Sequence, residues 1–545
     1  MKKLPALFIF SLALLHATGQ TSTGRLENLK DGWNITINYV GEIKNGQPNG
    51  LGLAIYTNDF ALRYAGNFLN GLYNGKGALL FKDGTFLSGE WKNGKLNGKG
   101  AYLSKDGDLY VGYFVDGKKN GKGTFIFANK SLLTGEMKND TYEGRCIYIP
   151  ADGKTISDNI YSDGKKNGSG YQYEINSKTL YEGTWSNGEW VNSGTASYYS
   201  FLKDANFYAE KSDDQILMGG IDKNNNNLLQ DTAFFYNLKN NSRYFGYCEK
   251  GYLSDGIIIK DSTDFIGKVA DDGAYGQCSF YKIKKFYDEG SYQRDFLTGP
   301  NNLSVDLNKN TIYYGETADG GLFSGKAWFA NNYNELYVGS FERGKFTGNG
   351  FIVFSNGKTV RGAFEKGNTI TVTSLTDENG KPIPQKPKTL TDALSIITNE
   401  YADNYEAFKG TEADEDAYPV DDYYSAHKSI VSFPGSVDEN VIAEDYDFYL
   451  SFQAAMYKGK SFAAAQAKYD EICKALSTAS LNLKQSSTPV TLSGDVEEAK
   501  ETATSRSKFS LKNYSSLSDY NVYAEIKYDD GEYKVSIITG DIELD

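Results

Sequence analysis

The stretch YAGNFLNGLYNGKG, residues 64–77, decides the fold of this 545-residue chain. It returns as YVGYFVDGKKNGKG at 110–123 and as YVGSFERGKFTGNG at 337–350. Two further copies open at Tyr39, with Gly41, Gly46, Gly50 and Gly52, and at Leu87, with Gly89, Gly94, Gly98 and Gly100. The copies at 64, 87 and 110 repeat every 23 residues. A fixed period of this length marks a stack of like units, each leaning on its neighbours.

Each copy reads as a β-hairpin. Side chains alternate along a strand, so the opening aromatic, the glycine two residues on and the residue two beyond that share one face. That third position is Ile43, Phe68, Trp91, Phe114, Met137, Tyr161, Trp185, Phe341 and Phe364 in the clear copies, almost always large and apolar. The next glycine (Gly71, Gly94, Gly117, Gly188, Gly344) follows Asn, Asp or Arg and marks a tight turn. The returning strand carries a Gly-x-Gly pair, whose bare backbone leaves room for rings to lie across the sheet. Second turns are expected at Asp83-Gly84, Asp106-Gly107, Asp152-Gly153 and Asn356-Gly357. An isolated hairpin is marginal in water, so the units must stack, and 42 Tyr and 31 Phe supply the aromatic ladders such a stack needs.

Weaker copies begin near Leu133, Ser157 and Tyr181, where Asp140, Cys146 and Asn192 intrude on glycine positions. Residues 201–336 keep only fragments of the pattern, such as Tyr244-Gly246-Gly251 and Tyr313-Gly315-Gly320. The pattern Tyr-x-Gly-x-Trp/Phe-x-x-Gly-x-x-x-Gly-x-Gly resembles the MORN (membrane occupation and recognition nexus) repeat. The resemblance implies a mainly β fold: an elongated single-layer sheet of stacked hairpins over 34–372, regular at 39–200 and 337–370. It also implies a recognition or spacer module without an active site of its own. In phosphatidylinositol phosphate kinases and certain SET-domain lysine methyltransferases such repeats accompany a catalytic domain; in junctophilins they serve binding and membrane apposition.

At the N-terminus, Met1-Lys2-Lys3 precedes an apolar run from Leu4 to Leu15, and Ala17-Thr18-Gly19 fits small-x-small cleavage. This predicts a signal peptide over 1–19, a mature chain from Gln20, and an exported protein of the periplasm, cell surface or exterior, of bacterial type. Four cysteines are too few for a disulfide framework. Cys146 and Cys278 occupy glycine positions, and sequence leaves open whether Cys248 and Cys278 are bridged. The net charge of −13 is uneven: about −15 falls on residues 371–545 and about +2 on the rest. An acidic chain without a basic cluster is a poor nucleic-acid ligand, because phosphate contacts supply most of that affinity.

After Gly367 the register stops. Residues 373–389, with Pro382, Pro384 and Pro387, read as a stiff linker. Residues 390–545 read as a smaller α+β domain of no evident family. A helix is expected through Leu394, Ile397, Tyr401, Tyr405 and Phe408, a second from Ser461, strands near 424–433 and 445–452, and a closing hairpin at Val522–Lys527 and Tyr533–Thr539.

Catalytic constellations are missing from this pattern. His427 is the one histidine beyond the signal segment, too few for a triad, a Cys-His dyad or a histidine zinc site. No nucleophile elbow or Walker loop occurs. Asp222, Asn224 and Asn226 have calcium-loop spacing but lack the glycine and closing glutamate, and the acidic run Glu412 to Asp422 reads as a solvated loop. No enzyme activity, cofactor or metal is expected. The candidate contact residues are the strand aromatics Tyr39, Tyr64, Phe68, Trp91, Tyr110, Phe114, Tyr181, Trp185, Tyr337 and Phe341. They point to a protein partner in the cell envelope, with membrane lipid or glycan as the alternative and a hydrolase in the C-terminal domain as a third reading; oligomeric state is open. Trp91→Ala separates packing from binding: a buried indole gives a loss of about 3–5 kcal/mol in denaturant unfolding, an open one a loss near zero.

Overall fold

The computed structural model describes residues 22–540 apart from short segments, among them 197–206, 223–227 and 413–422. Between 197 and 295 it describes strands but few side chains, so the calcium-like loop and most of the acidic run lie outside the described residues.

Fifteen strands, from Ser22–Lys30 to Glu189–Ala196, pair in sequence order into one antiparallel sheet. A second sheet of sixteen strands runs from Phe207–Lys211 to Asn368–Thr376. A third, of nine, lies between Lys409–Glu412 and Glu532–Gly540 and carries helix α2 (Phe462–Ser477), while α1 (Leu390–Tyr401) precedes it. The stacked hairpins are as the glycine register predicts, and they begin earlier than residue 34.

The glycines have a common place. Strand pairing aligns Gly24 with Gly41, then Gly52, Gly66, Gly77, Gly89, Gly100, Gly112, Gly123 and Gly135, one row across ten neighbouring strands. The opening tyrosine lies over this row. A Cβ on Gly77 would overlap the Tyr64 ring and hydroxyl, and one on Gly123 the Tyr110 ring.

Just beyond the row each hairpin is bulged. Ile43 pairs with Pro48 and Gly41 with Gly52, so the returning strand holds two extra residues there. Gly50, the third glycine of the pattern, sits in that bulge at φ +106°, and Gly75 does so at +78°. The tyrosine hydroxyl donates to the carbonyl three residues on: Tyr39 to Glu42 at 2.6 Å, Tyr64 to Asn67 and Tyr110 to Tyr113 at 3.2 Å, and Tyr313 to Glu316. Where Leu133 replaces the tyrosine, the Cys146 thiol in the glycine row reaches the equivalent Glu136 carbonyl at 3.6 Å. A sulfur thus stands in for the phenol.

The tight turns have two left-handed residues, as in Asn70 (φ +50°) and Gly71 (φ +82°), and the Gly71 N–H donates to Pro48 O of the preceding hairpin at 2.9 Å. The second turns are longer than the two-residue form. Phe81 accepts from Gly84 and donates to Thr85, with the Asp83 carboxylate holding the Thr85 N–H at 2.9 Å.

The array does not remain one ribbon. Val40, Leu53, Ala65, Ala78 and Leu80, on the face opposite the tyrosines, share a core with Leu303, Val305, Ile312, Trp328, Leu336 and Val353 of the second sheet. Phe86 packs on Tyr287 at 5.2 Å, and Lys130 pairs with the buried Asp264 at 2.7 Å. Each sheet is one strand-layer thick, as expected; the fold between them makes a sandwich, because a sheet apolar on both faces must cover the second face too.

The second sheet's tyrosine-side face is covered in turn. Tyr313, Phe341, Phe346 and Phe364 belong to one core with Leu394, Ile397, Phe408 and Phe452 of the C-terminal unit. Lys358 and Glu400 of α1 form an ion pair across this junction, each side chain 1 % exposed. The proline segment expected as a spacer is folded against the array. It opens with a turn at Asp377–Lys381, Ile383 N donates to Leu375 O at 2.9 Å, and Arg25 N to Glu378 O at 3.2 Å.

In the C-terminal unit, Ser461 caps α2 by accepting from Ala464 N, and the buried stripe is Ala465, Tyr469, Ile472, Cys473 and Leu476. The first helix stops at Tyr401, short of Phe408, and Glu406–Phe408 forms a separate 3-10 turn. The closing hairpin is Asn521–Asp529 with Glu532–Gly540. Cys146 and Cys473 are buried free thiols. Two strands separate those of Cys248 and Cys278, a spacing of about 14 Å that no disulfide spans.

Asn159 stands in the glycine row, pairing Cys146 and Gly170, and is 2 % exposed with neither amide atom bonded. Its hairpin opens with Ser157 where others have tyrosine. The double substitution Ser157→Tyr/Asn159→Gly is expected to raise unfolding stability by about 1–3 kcal/mol, by removing an unsatisfied buried amide and supplying the missing ring; denaturant titration of the two chains side by side checks it.

Candidate ligand-binding face

Alternation puts the opening aromatic, the mid-strand residue and the residue two past the turn glycine on the outer face of the first sheet. Along the first hairpins this face closes on itself. Tyr39, Tyr64 and Tyr110 are fully buried, and Phe68, Trp91 and Phe114 nearly so. Tyr64 stacks on Tyr73 at 3.8 Å and meets Trp91 edge-on at 5.3 Å, and the Trp91 Nε1 donates to Gly77 O at 3.0 Å. The loop after the first strand folds over them. Trp33 stands 6.5 Å from Tyr73 and from Trp91, while Asp31 Oδ2 accepts from the Tyr56 hydroxyl, itself 2.8 Å from that of Tyr73.

These six predicted contact residues are therefore core and cannot touch a ligand. Phe341 is buried beneath the C-terminal unit, and Tyr337 is half-buried with its hydroxyl 3.0 Å from Glu335 Oε2. Tyr181 and Trp185 alone of the predicted set lie half-exposed on the outer face.

Past Trp91 the burial is mixed, with Tyr110, Phe114 and Met137 still buried. Tyr102, Phe125, Tyr142, Tyr161, Trp185 and Trp190 are all half-buried there. Phe125 to Tyr142 and Tyr142 to Tyr161 are each 5.8 Å between ring centres, and Trp185 lies 4.6 Å from Trp190. Two lysines interleave with these rings. Lys119 Nζ is 5.0 Å from the Tyr102 ring and 5.6 Å from those of Tyr110 and Phe125; Lys166 Nζ is 4.2 Å above Trp185. Burial lowers the pKa of both amines, opposed at Lys119 by Asp140 4.0 Å away. The sequence signal was the position two past the turn: Tyr73, Leu96 and Trp190 in some copies, Lys119 and Lys166 in others.

The result is a strip of ring faces punctuated by partly desolvated ammonium groups. It can take up apolar side chains together with carboxylates, or stack against sugar rings.

The MORN repeat family model matches residues 39–59, 64–86, 88–109, 110–132, 181–200 and 337–359. The chain carries six MORN repeats. Four are consecutive in the closed part of the face and its margin, one holds the Trp185–Trp190 pair, and one closes the second sheet. No curated protein matches the chain. Among solved structures, the WD40 domain of SCAP from fission yeast aligns over 81% of this chain and 82% of its own at 8% identity, with a TM-score of 0.10, too low to bear on the MORN architecture. Among the described residues no helix is long and apolar enough to cross a membrane, and no three His, Cys, Asp or Glu converge as a metal site.

Burial raises the pKa of Tyr39, Tyr56, Tyr64, Tyr73 and Tyr110 well above the usual 10. Unfolded phenols lose their protons near pH 10, whereas these five keep theirs. Their contribution to stability is whole below that pH and is lost as pH climbs above it. An alkaline titration followed by ultraviolet absorbance and circular dichroism should show them ionising together with unfolding, not before it.

Proposed function

We propose that this is an exported, non-catalytic scaffold whose first MORN sheet binds a protein partner along the strip from Tyr102 to Trp190. MORN repeats suggest a repeat-based binding or scaffold protein. The observation that carries the finer reading is the half-open strip itself, continuous with a ladder that is buried along the first hairpins, while Tyr313, Phe341, Phe346 and Phe364 of the second sheet are buried against the C-terminal unit. Aromatic anchors such as Trp and Tyr are among the side chains that dominate protein interfaces. Export rests on the Met1–Leu15 pattern, and the envelope is the compartment it would serve.

Glycan binding is a second reading, favoured by the paired Trp185 and Trp190 rings. Phospholipid is less favoured, because the sheet concentrates no basic cluster for anionic headgroups. A hydrolase is disfavoured at the groove beside the C-terminal unit, where the carboxylates serve the fold: Glu400 pairs with Lys358, Asp377 holds two turn N–H groups, and Asp392 accepts from Thr389.

The test uses the mature chain and the variant Lys166→Ala/Trp185→Ala as bait for envelope extract. Loss of an aromatic anchor is expected to weaken capture of specific proteins by about tenfold or more. Unchanged capture removes the strip as the binding face, and pelleting with phosphatidylglycerol vesicles or retention on polysaccharide that the variant abolishes replaces the protein reading. Export is checked by N-terminal sequencing, with Gln20 expected first.

A further inference from the structure

We propose that the groove between the second sheet and the C-terminal unit is a docking site for an extended acidic peptide segment. It lies on the far side of the sandwich from the aromatic strip and does not depend on that reading.

The groove encloses about 500 Å³ and is walled by residues from three places: Lys358 of the array, residues 377–388, and α1 with Asn482 and Lys484. Its floor is apolar, with Phe408 and Pro387 buried and Ile383 and Ile396 half-buried. At the bottom the Lys358–Glu400 pair neutralises itself. The rim is different. Lys381, Lys386 and Lys388 are exposed and form no ion pair among the described residues, while Lys484 holds Glu378 at 2.6 Å. The local carboxylates are committed: Asp377 accepts the N–H groups of Asn379 and Lys381 at 3.0 and 2.8 Å, and Asp392 Oδ2 accepts from the Thr389 hydroxyl at 2.7 Å.

Three uncommitted ammonium groups therefore surround an apolar trough in the most acidic part of the chain, where residues 371–545 carry about −15. Diffuse negative charge elsewhere on this unit repels an anionic segment, and the three ammonium groups offset that repulsion at the groove. The floor asks for apolar side chains between the acidic ones. The occupant is a segment of chain rather than a small molecule because the rim is open: Pro382, Pro384, Lys381, Lys386 and Lys388 are all exposed, whereas small-ligand sites enclose most of their ligand. Pro382, Pro384 and Pro387 have no N–H to offer, so recognition falls to side chains and not to strand addition.

Fluorescence anisotropy with the labelled peptide acetyl-ELEELE-amide tests this, using the mature full chain, with acetyl-QLQQLQ-amide as its neutral counterpart. Binding of the acidic peptide is expected to be about tenfold weaker or worse for Lys381→Gln/Lys386→Gln/Lys388→Gln, and to weaken with added salt. A matched control, Lys92→Gln/Lys95→Gln/Lys118→Gln on exposed array turns, is expected to bind as the parent does. All six positions are exposed, so both variants should keep the parent circular dichroism. Absence of binding, equal binding of the neutral peptide, or an unaltered affinity in the groove variant overturns the proposal. Saturation by octanedioate with exclusion of the peptide overturns it in favour of a small dicarboxylate site.

Discussion

A tyrosine ring lying across a row of glycines, its hydroxyl closing a bulge carbonyl, is the contact on which this molecule is built. It ties together three features that look separate in the sequence. The Gly-x-Gly pair makes room for the ring, the preceding glycine turns the bulge, and the phenol satisfies the carbonyl that the bulge turns out of the ladder. Buried polar groups that lack a partner are costly, so in the copies that open with tyrosine the ring and the glycines serve one another. Cys146 makes the point in the copy that opens at Leu133: there a side chain stands in the glycine row and takes over the same kind of carbonyl.

Because every hairpin has an aromatic face and an aliphatic face, neither can be left wholly to water. The aliphatic faces of the two sheets solve this by covering each other, and the C-terminal unit covers the aromatic face of the second. The first sheet covers its own aromatic face only as far as the loop carrying Asp31 and Trp33 reaches. Past that reach Tyr110, Phe114 and Met137 stay buried but Tyr102, Phe125, Tyr142, Tyr161, Trp185 and Trp190 are half-open, and there the pattern admits Lys119 and Lys166 at the position where Tyr73 and Leu96 stand in the closed part. The binding face is thus the remainder of a packing problem, which is why ring identity alone did not single it out.

This explains the uneven legibility of the candidate site. Trp91 and Trp185 hold the same place in their repeats, yet one is core and the other half-exposed. Their own repeat positions do not distinguish them; the cover is a loop from some sixty residues upstream that reaches one of the two. The lysine substitutions were visible but carried meaning only once Tyr102, Phe125 and Trp185 were seen beside them. The groove at the proline segment was less legible still, since its walls come from residues 358, 381–388, 396–408 and 482–484.

The sequence by itself determined the hairpin, its tight Asn-Gly or Asp-Gly turn and the stacking of one unit on the next, because these depend on φ > 0 at fixed glycines and on neighbours one repeat away. It also determined the amphipathic stripe of α2 and the closing hairpin. Only the tertiary structure decided that the ribbon doubles into a sandwich, that the proline segment packs instead of spacing, and which aromatics remain open. Those outcomes rest on contacts between surfaces well outside one repeat, such as Arg25 with Ser355, 330 residues on, and Lys358 with Glu400, 42 residues on, across the C-terminal junction. A local repeat specifies both faces of a sheet equally well; what it cannot specify is which surface will arrive to cover each one.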